Sequence, residues 1–191
     1  MISKKMFPEL LSHYQKYRES RHAVIAESSD ILKLAKQSIF ALHRNDLALA
    51  EKNFDLMDAK IKDINRLSDG EDSEGVFRAA LEEYLEAKFF YMYLKGESVE
   101  LLKSVEVEFF EEYLGAVCDV TGELVRRAVL LVVEGKKDSE SEIKNIRAFT
   151  ENVVAGLLGF DLVGKLRSKF DDAKRNLSRV EEILYDLKIR K

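Results

Sequence analysis

The chain has 191 residues, near the roughly 100–200 residues of one domain, and 46% of them are apolar, which is enough for a sizeable core. One proline, nine glycines, no tryptophan and abundant Glu, Lys, Leu and Ala argue against a sheet-based fold and favour long helices. The net charge of −4 excludes an overall basic footprint for nucleic acid, so any such contact needs a local patch. We therefore expect one all-α domain over residues 1–191.

Features that would indicate export or membrane insertion are missing from the sequence. Cys118 is the only cysteine and cannot form an internal disulfide. Residues 1–5 run into Phe7 and Pro8 without an apolar signal segment. The most apolar stretch, residues 128–133, is far shorter than the roughly 20 residues of a membrane-spanning helix. We expect a cytoplasmic protein with no membrane segment.

Apolar residues recur at helical spacing along almost the whole chain. The pattern predicts helices over residues 8–44, 47–67, 74–95, 105–134, 141–158 and 164–189. Asn45, Gly96 and Gly135 stand where helices should stop, and residues 69–73 form a polar loop. Helices joined by short loops pack antiparallel, so we expect a bundle of six to seven helices, some long enough to present a surface for self-assembly.

Two glutamates of the predicted third helix, Glu83 and Glu86, are three residues apart and so share one face. A solvated, Glu-rich surface is the plain interpretation of this spacing. Ala79 and Phe90 continue the same stripe, however, which places both acids on a face that also carries an aromatic residue. A buried or ligand-facing role for the two carboxylates is the alternative.

The predicted fourth helix repeats the arrangement with Asp119 and Glu123, four residues apart. The plain interpretation is again a solvent face, on which Glu123 pairs with Arg126 or Arg127 one turn further on. This helix is apolar on two sides, however, and so should have two packing partners. Two small residues would also let another chain or a ligand approach it closely: Gly115 and Gly122.

If these two helices are neighbours, four carboxylates meet. Each pair about 5 Å apart repels by roughly 3 kcal/mol at an effective dielectric constant near 20. The group must therefore take up protons or a cation. Oxygen ligands without cysteine or histidine suit Mg²⁺ or Mn²⁺, and a metal-activated water beside a spare carboxylate can hydrolyse phosphodiesters.

The residues around these acids resemble a known family. Residues 113–126 read Tyr-Leu-Gly-Ala-Val-Cys-Asp-Val-Thr-Gly-Glu-Leu-Val-Arg. They resemble the Leu-Gly-(small)-x-x-Asp-Leu-Thr-Gly-Glu-Leu-Met-Arg signature of translin-associated factor X, a branch of the translin family. Residues 83–87, Glu-Tyr-Leu-Glu-Ala, resemble its Glu-Tyr-(aliphatic)-Glu-Ala. Segments within 28–44 and 180–190 agree as well, so the resemblance spans nearly the whole chain in order.

The resemblance implies a subunit of a closed, hollow octamer that cleaves RNA as a Mg²⁺-dependent endoribonuclease. It implies that Glu83, Glu86 and Asp119 are catalytic and hold the metal, with Glu123 close to the metal. Translin itself keeps the fold but lacks these acids, so this sequence sides with the catalytic branch. Because the chain is short and carries both fold and acids, we expect a homo-octamer without a separate translin subunit.

Basic residues suggest where RNA would bind. Arg18, Arg21 and His22 share one face of the first helix and could track phosphates, although a solvated face is an equally good interpretation. Arg44 is a fourth candidate, and its helix-terminal position, like that of His43, also fits capping. Aromatic residues within 89–93 could stack on bases but are more often core.

Two functions follow from these observations. The first is a metal-dependent endoribonuclease that cleaves single-stranded RNA. The second is a non-catalytic protein that binds single-stranded RNA or DNA. The four acids favour the first, because a pure binder gains nothing from carboxylates beside phosphates.

Overall fold

The computed structural model describes residues 3–67, 75–135 and 139–189, apart from the side chain of the last residue in the first range. Within these ranges the chain is helical with short connections, which confirms the predicted all-α class. Six α-helices are present: α1 (Met6–His43), α2 (Leu47–Leu67), α3 (Gly75–Lys95), α4 (Phe110–Glu134), α5 (Ser139–Leu157) and α6 (Gly164–Ile189). A single 3-10 turn, Val107–Phe109, precedes α4.

Helix ends agree with the predicted stops. Asn45, Gly96 and Gly135 all adopt the left-handed conformation, with φ of 59°, 71° and 62°. A glycine reaches this conformation without a Cβ penalty, which is why it commonly ends a helix. The predicted loop 69–73 lies outside the described residues.

The start of the fourth helix was predicted too early. The sequence pattern placed it near Val105, whereas α4 begins at Phe110. The Tyr113 hydroxyl accepts a hydrogen bond from the Leu102 backbone N–H at 3.0 Å and donates one to the Val105 carbonyl at 2.9 Å. These bonds hold the connection in a non-helical path although apolar residues recur in it, so periodicity alone could not show the boundary.

Helix α4 lies at the centre of the packing. It contacts α3, α5 and α6, while α1 packs on α2 and α3. Because residues 44–46 alone join α1 to α2, these two packed helices must run antiparallel. The core of buried side chains draws on all six helices, from Ile31 in α1 to Val180 in α6. The predicted second packing side of α4 is therefore present, and it faces α3.

The first half of α1 lies outside this core, and we call it the projecting half. Every residue from 3 to 19 is exposed, and Val24 is the first buried residue of the helix. Six large apolar or aromatic residues are exposed there: Met6, Phe7, Leu10, Leu11, Tyr14 and Tyr17. Contiguous exposed apolar surface of this kind marks an interaction site. In the described ranges, no helix is both long and apolar enough to cross a bilayer.

The burial of α4 gives a stability prediction. Leu124 is fully buried on α4, so Leu124→Ala should lower the free energy of unfolding by about 2–5 kcal/mol through lost burial and a residual cavity. Urea unfolding at one fixed protomer concentration measures the change. Val133→Ala, at a position 77% exposed on the same helix, is the control and should change it by less than about 0.5 kcal/mol. Equal effects of the two substitutions would contradict the core assignment.

Candidate active site

The packing of α3 against α4 brings together the four acids that the sequence singled out. We call Glu83, Glu86, Asp119 and Glu123 the acidic cluster. Each of the other three carboxylates raises the pKa of Glu86 by electrostatic repulsion. The solvated-face interpretation therefore fails for these positions, since Glu86 is buried and the other three acids are partly buried.

Glu86 is the most perturbed acid of the cluster. Burial, followed by repulsion from Asp119, Glu83 and Glu123, raises the pKa of its carboxyl to about 8. No hydrogen bond or ion pair from the described part of the chain reaches this side chain, which is only 9% exposed. At neutral pH the carboxyl must therefore hold a proton unless a cation takes the proton's place.

Two acids at the edge of the cluster are partly neutralised by lysines. Burial raises the pKa of Glu83, and Lys36 of α1, whose Nζ lies 3.9 Å from the carboxylate, opposes that rise. Burial likewise raises the pKa of Asp119, while an ion pair with Lys169 of α6 lowers it. Three helices besides α4 thus contribute charged groups to the site.

Lys169 and Glu82 belong to this site, although the sequence analysis missed both. Lys169 lies between Asp119 and Glu82, 3.4 Å from the Glu82 carboxylate, and Lys165 binds Glu82 at 2.8 Å. Burial alone would lower the pKa of Lys169, but its pairing with the two acids raises it overall. Lys169 is 50 residues from Asp119 in the chain, and no local pattern could have linked them.

Side chains of this same chain occupy the space beside the two glycines of α4, Gly115 and Gly122. A Cβ at Gly115 would overlap the Glu82 carboxylate, so the missing side chain makes room for that acid. At Gly122 the Asn176 side-chain amide lies 3.6 Å from the Cβ position. The space that the sequence suggested for a ligand or another chain is thus filled by side chains of α3 and α6.

Glu123 is held by a buried histidine. Nε2 of His43 hydrogen-bonds to the Glu123 carboxylate, and the His43 ring packs on Phe90 with 4.8 Å between centroids. Arg126 also approaches Glu123 at 3.6 Å, as the plain interpretation allowed, whereas Arg127 binds Glu142 instead. His43 therefore serves the site through its side chain rather than capping α1.

The donor atoms of the cluster fit a hard divalent cation. They are carboxylate oxygens, which Mg²⁺ and Mn²⁺ prefer, and the buried Glu86 carboxyl has no other described partner. In the described ranges, however, no three His, Cys, Asp or Glu side chains already converge as a ligand group. In the same ranges, Glu83 and Asp119 are paired with Lys36 and Lys169.

The basic residues that were predicted to bind RNA lie in two separate places. Arg18, Arg21 and His22 line a shallow depression of about 380 Å³ on the projecting half of α1. Arg44 directly follows the other end of α1, and the helical rise of 1.5 Å per residue puts it about 33 Å from His22. Arg44 follows His43, which bonds to Glu123, so it lies at the end of α1 that meets the acidic cluster, whereas the other three lie in the first half of α1.

Aromatic residues 89–93 are mostly structural. Phe89 and Phe90 are buried in the core, where Phe90 supports His43. Tyr91 and Tyr93 are half-buried and pack edge-on against Phe54 and Phe149. The core interpretation of this segment is the one that the structure favours.

The sequence of the chain is similar to those of known proteins. The sequence profile described as the Translin family matches residues 19–191. The chain belongs to the translin family. Translin-associated protein X of Mus musculus is 26% identical over 238 residues, covering 100% of this chain and 79% of that protein. An uncharacterised protein of Methanocaldococcus jannaschii is 26% identical over 178 residues, covering 89% and 79%. The translin-associated X proteins are thus distant homologues, which confirms the resemblance seen in the motifs.

Solved structures of similar fold agree with this assignment. Apo-NeC3PO superposes with a TM-score of 0.84 at 23% identity and 97% coverage of both chains. AfC3PO in a complex with duplex RNA gives a TM-score of 0.85 at 18% identity, covering 97% of this chain and 98% of that one. At these identities the likeness establishes the shared fold.

The raised pKa of Glu86 predicts how stability depends on pH. Its folded pKa is about 8 against an ordinary 4.5, so its contribution to stability is complete below pH 4.5 and is lost as pH rises to 8. Glu86→Gln has no proton to lose. In EDTA the variant should gain stability relative to the parent across that window, by at most about 1.4 kcal/mol per pH unit. Urea titrations at several pH values measure this.

A matched substitution isolates the effect. Glu100→Gln changes an exposed glutamate in the connection before α4 and is the control for replacing a carboxylate by an amide away from the cluster. If Glu86→Gln behaved like Glu100→Gln, the Glu86 carboxyl would titrate as an ordinary glutamate and the cluster would not be buried as described.

Proposed function

We propose that the chain is a divalent-metal-dependent endoribonuclease that cleaves single-stranded RNA at the acidic cluster. The observation that carries the proposal is Glu86: a buried carboxyl with no hydrogen-bond or ion-pair partner among the described residues, surrounded by three further acids. Membership of the translin family and the similarity to translin-associated protein X support it. AfC3PO, a neighbour in fold, was solved with duplex RNA, which supports RNA over other phosphodiesters.

In this proposal the four acids together hold the metal, and one of the two glutamates of α3 is also the base. Glu86, Asp119, Glu123 and Glu83 would hold Mg²⁺ or Mn²⁺, which supplies positive charge against the phosphate and lowers the pKa of water. Glu83 or Glu86 accepts the proton of the attacking water. The water oxygen bonds to phosphorus, the bond to the leaving ribose oxygen breaks, and that oxygen takes a proton from solvent. His43 keeps the Glu123 carboxylate oriented through the hydrogen bond of its Nε2 atom.

In this proposal, Lys169 and Lys36 act through the acids with which they pair. They neutralise Asp119 and Glu83 while no cation is bound, and this limits repulsion within the cluster. The same pairs are the observation that favours the second candidate, a non-catalytic protein that binds RNA or DNA. In that case the lysines would be the permanent counter-charges of the acids.

Cleavage assays distinguish the two candidates. End-labelled single-stranded and duplex RNA are incubated with the protein in Mg²⁺, Mn²⁺ or EDTA, beside Glu86→Gln and Asp119→Asn. We expect metal-dependent cutting of single-stranded RNA that falls at least about 100-fold in both variants, since general acid–base and metal contributions are of that size. RNA binding in EDTA should stay within about twofold of the parent, because phosphate contacts lie elsewhere.

Controls exclude a contaminating nuclease. Glu100→Gln, at an exposed position outside the cluster, should cut at the parent rate. Equal cutting by the parent and both cluster variants would refute the nuclease, and binding without any cutting would leave the non-catalytic candidate standing.

We also propose that the projecting half of α1 mediates assembly into a homo-octamer. Its exposed apolar stripe has no partner within the described part of the subunit, and a closed assembly would bury it. Leu10→Glu should therefore reduce the mass measured by light scattering, because a carboxylate would enter an apolar contact. Ser12→Glu adds the same charge to an exposed position away from the stripe and should leave the mass unchanged. An unchanged mass for Leu10→Glu would refute this interface.

A further inference from the structure

A groove runs along the last turns of α1 and the corner where α2 begins. It has a volume of about 1040 Å³ and is open to solvent along its length. Its α1 wall includes Lys33, Lys36, Phe40 and Arg44 at intervals of three, four and four residues, which puts them in one stripe. The helical rise makes this stripe about 16 Å long. The groove is separate from the depression lined by Arg18 and His22.

The charge of the groove is positive although the whole chain is acidic. Three cationic side chains line it, and Asp46 is the acid beside them. The Asp46 carboxylate accepts a hydrogen bond from the Leu49 backbone N–H at 3.1 Å, so it already serves the start of α2. Lys60, and more weakly Lys33, lowers the pKa of Asp30. Neither Lys33 nor Arg44 forms an ion pair with described residues, so both cations can contact phosphates.

An exposed aromatic ring lies in the middle of this basic stripe. Phe40 is 54% exposed although its neighbours Ile39, Ala41 and Leu42 are buried. The Arg44 guanidinium lies 5.6 Å from the Phe40 ring centroid. An aromatic face bordered by an arginine stacks unpaired bases well, whereas a duplex keeps its base faces covered. This combination favours a single strand over a duplex.

The stripe also reaches the acidic cluster. Lys36 lines the groove and its Nζ lies 3.9 Å from a Glu83 carboxylate oxygen. A phosphate bound at Lys36 would therefore compete with Glu83 for the lysine and would sit at the border of the cluster. A strand along the groove would bring its next linkage toward the acids.

We propose that this groove binds single-stranded RNA, with Phe40 stacking on a base, Lys33, Lys36 and Arg44 contacting phosphates, and the strand directed to the acidic cluster. The direction of the strand rests on the proposed nuclease function, but binding does not. Because Lys36 exchanges Glu83 for phosphate, bound RNA also frees one carboxylate of the cluster.

The test measures binding where no cutting can occur. All variants are made in the Glu86→Gln background and assayed in EDTA by fluorescence anisotropy with a labelled 12-nucleotide oligouridylate. Phe40→Leu keeps an apolar side chain but removes the flat ring, and it should weaken binding by roughly 5-fold or more, the size of one lost stack. Phe40→Tyr restores a stacking ring and should bind within about twofold of the parent.

The phosphate contacts are tested by the salt dependence of RNA binding. Lys33→Gln should weaken binding and reduce the slope of log affinity against log salt by about 0.7, the value for one phosphate contact on a single strand. Lys103→Gln and Phe160→Leu alter exposed residues outside the groove and should match the parent in affinity and slope.

Unchanged affinity for both Phe40→Leu and Lys33→Gln would overturn the proposal. If the assembly mass of these variants also changed, the groove would be a contact between copies of this chain. If these variants bound RNA more weakly and the parent protein with an intact Glu86 did not cut RNA, RNA binding in the groove would be supported and only the nuclease function would be refuted.

Discussion

The contact between α3 and α4 is the constraint on which the rest of the structure depends. It buries the Glu86 carboxyl beside three other acids, and burial of a charged carboxylate is unfavourable unless a proton or a cation compensates it. A core formed only for stability would carry an apolar residue at this position. The retained acid is therefore best explained by what it can bind, which is the physical reason for proposing a metal-dependent activity.

The neighbours of the cluster come from separate parts of the chain. Lys169 extends from α6, Lys36 and His43 from α1, and Glu82 lies beside the cluster on α3. The two lysines and His43 each provide a charge or a hydrogen bond to a cluster carboxylate, whereas Glu82 adds a further negative charge that Lys165 and Lys169 offset. Packing of α4 against three helices at once therefore sets both the stability of the bundle and the electrostatics of its acidic site.

Helix α1 carries three different surfaces along its 38 residues. Its first half is exposed and apolar, its middle packs on α2 and α3, and its last turns present a basic stripe outward and His43 inward. Under these proposals, one helix would link self-association, RNA binding and the orientation of Glu123. A rigid helix suits this purpose, because it fixes the spacing between the three surfaces at 1.5 Å per residue.

The sequence by itself determined the all-α class, most helix ends and the positions of the four acids, because helical periodicity, glycine stops and the spacing of Glu83 and Glu86 are local properties. It misplaced the start of α4, where Tyr113 bonds across the connection, and it did not single out Lys169, which pairs with Asp119, or Phe40, which lines the groove. Only the tertiary structure decided which charges meet and which aromatic ring stays outside the core. Those outcomes depend on contacts between residues far apart in the chain, and no local pattern encodes them.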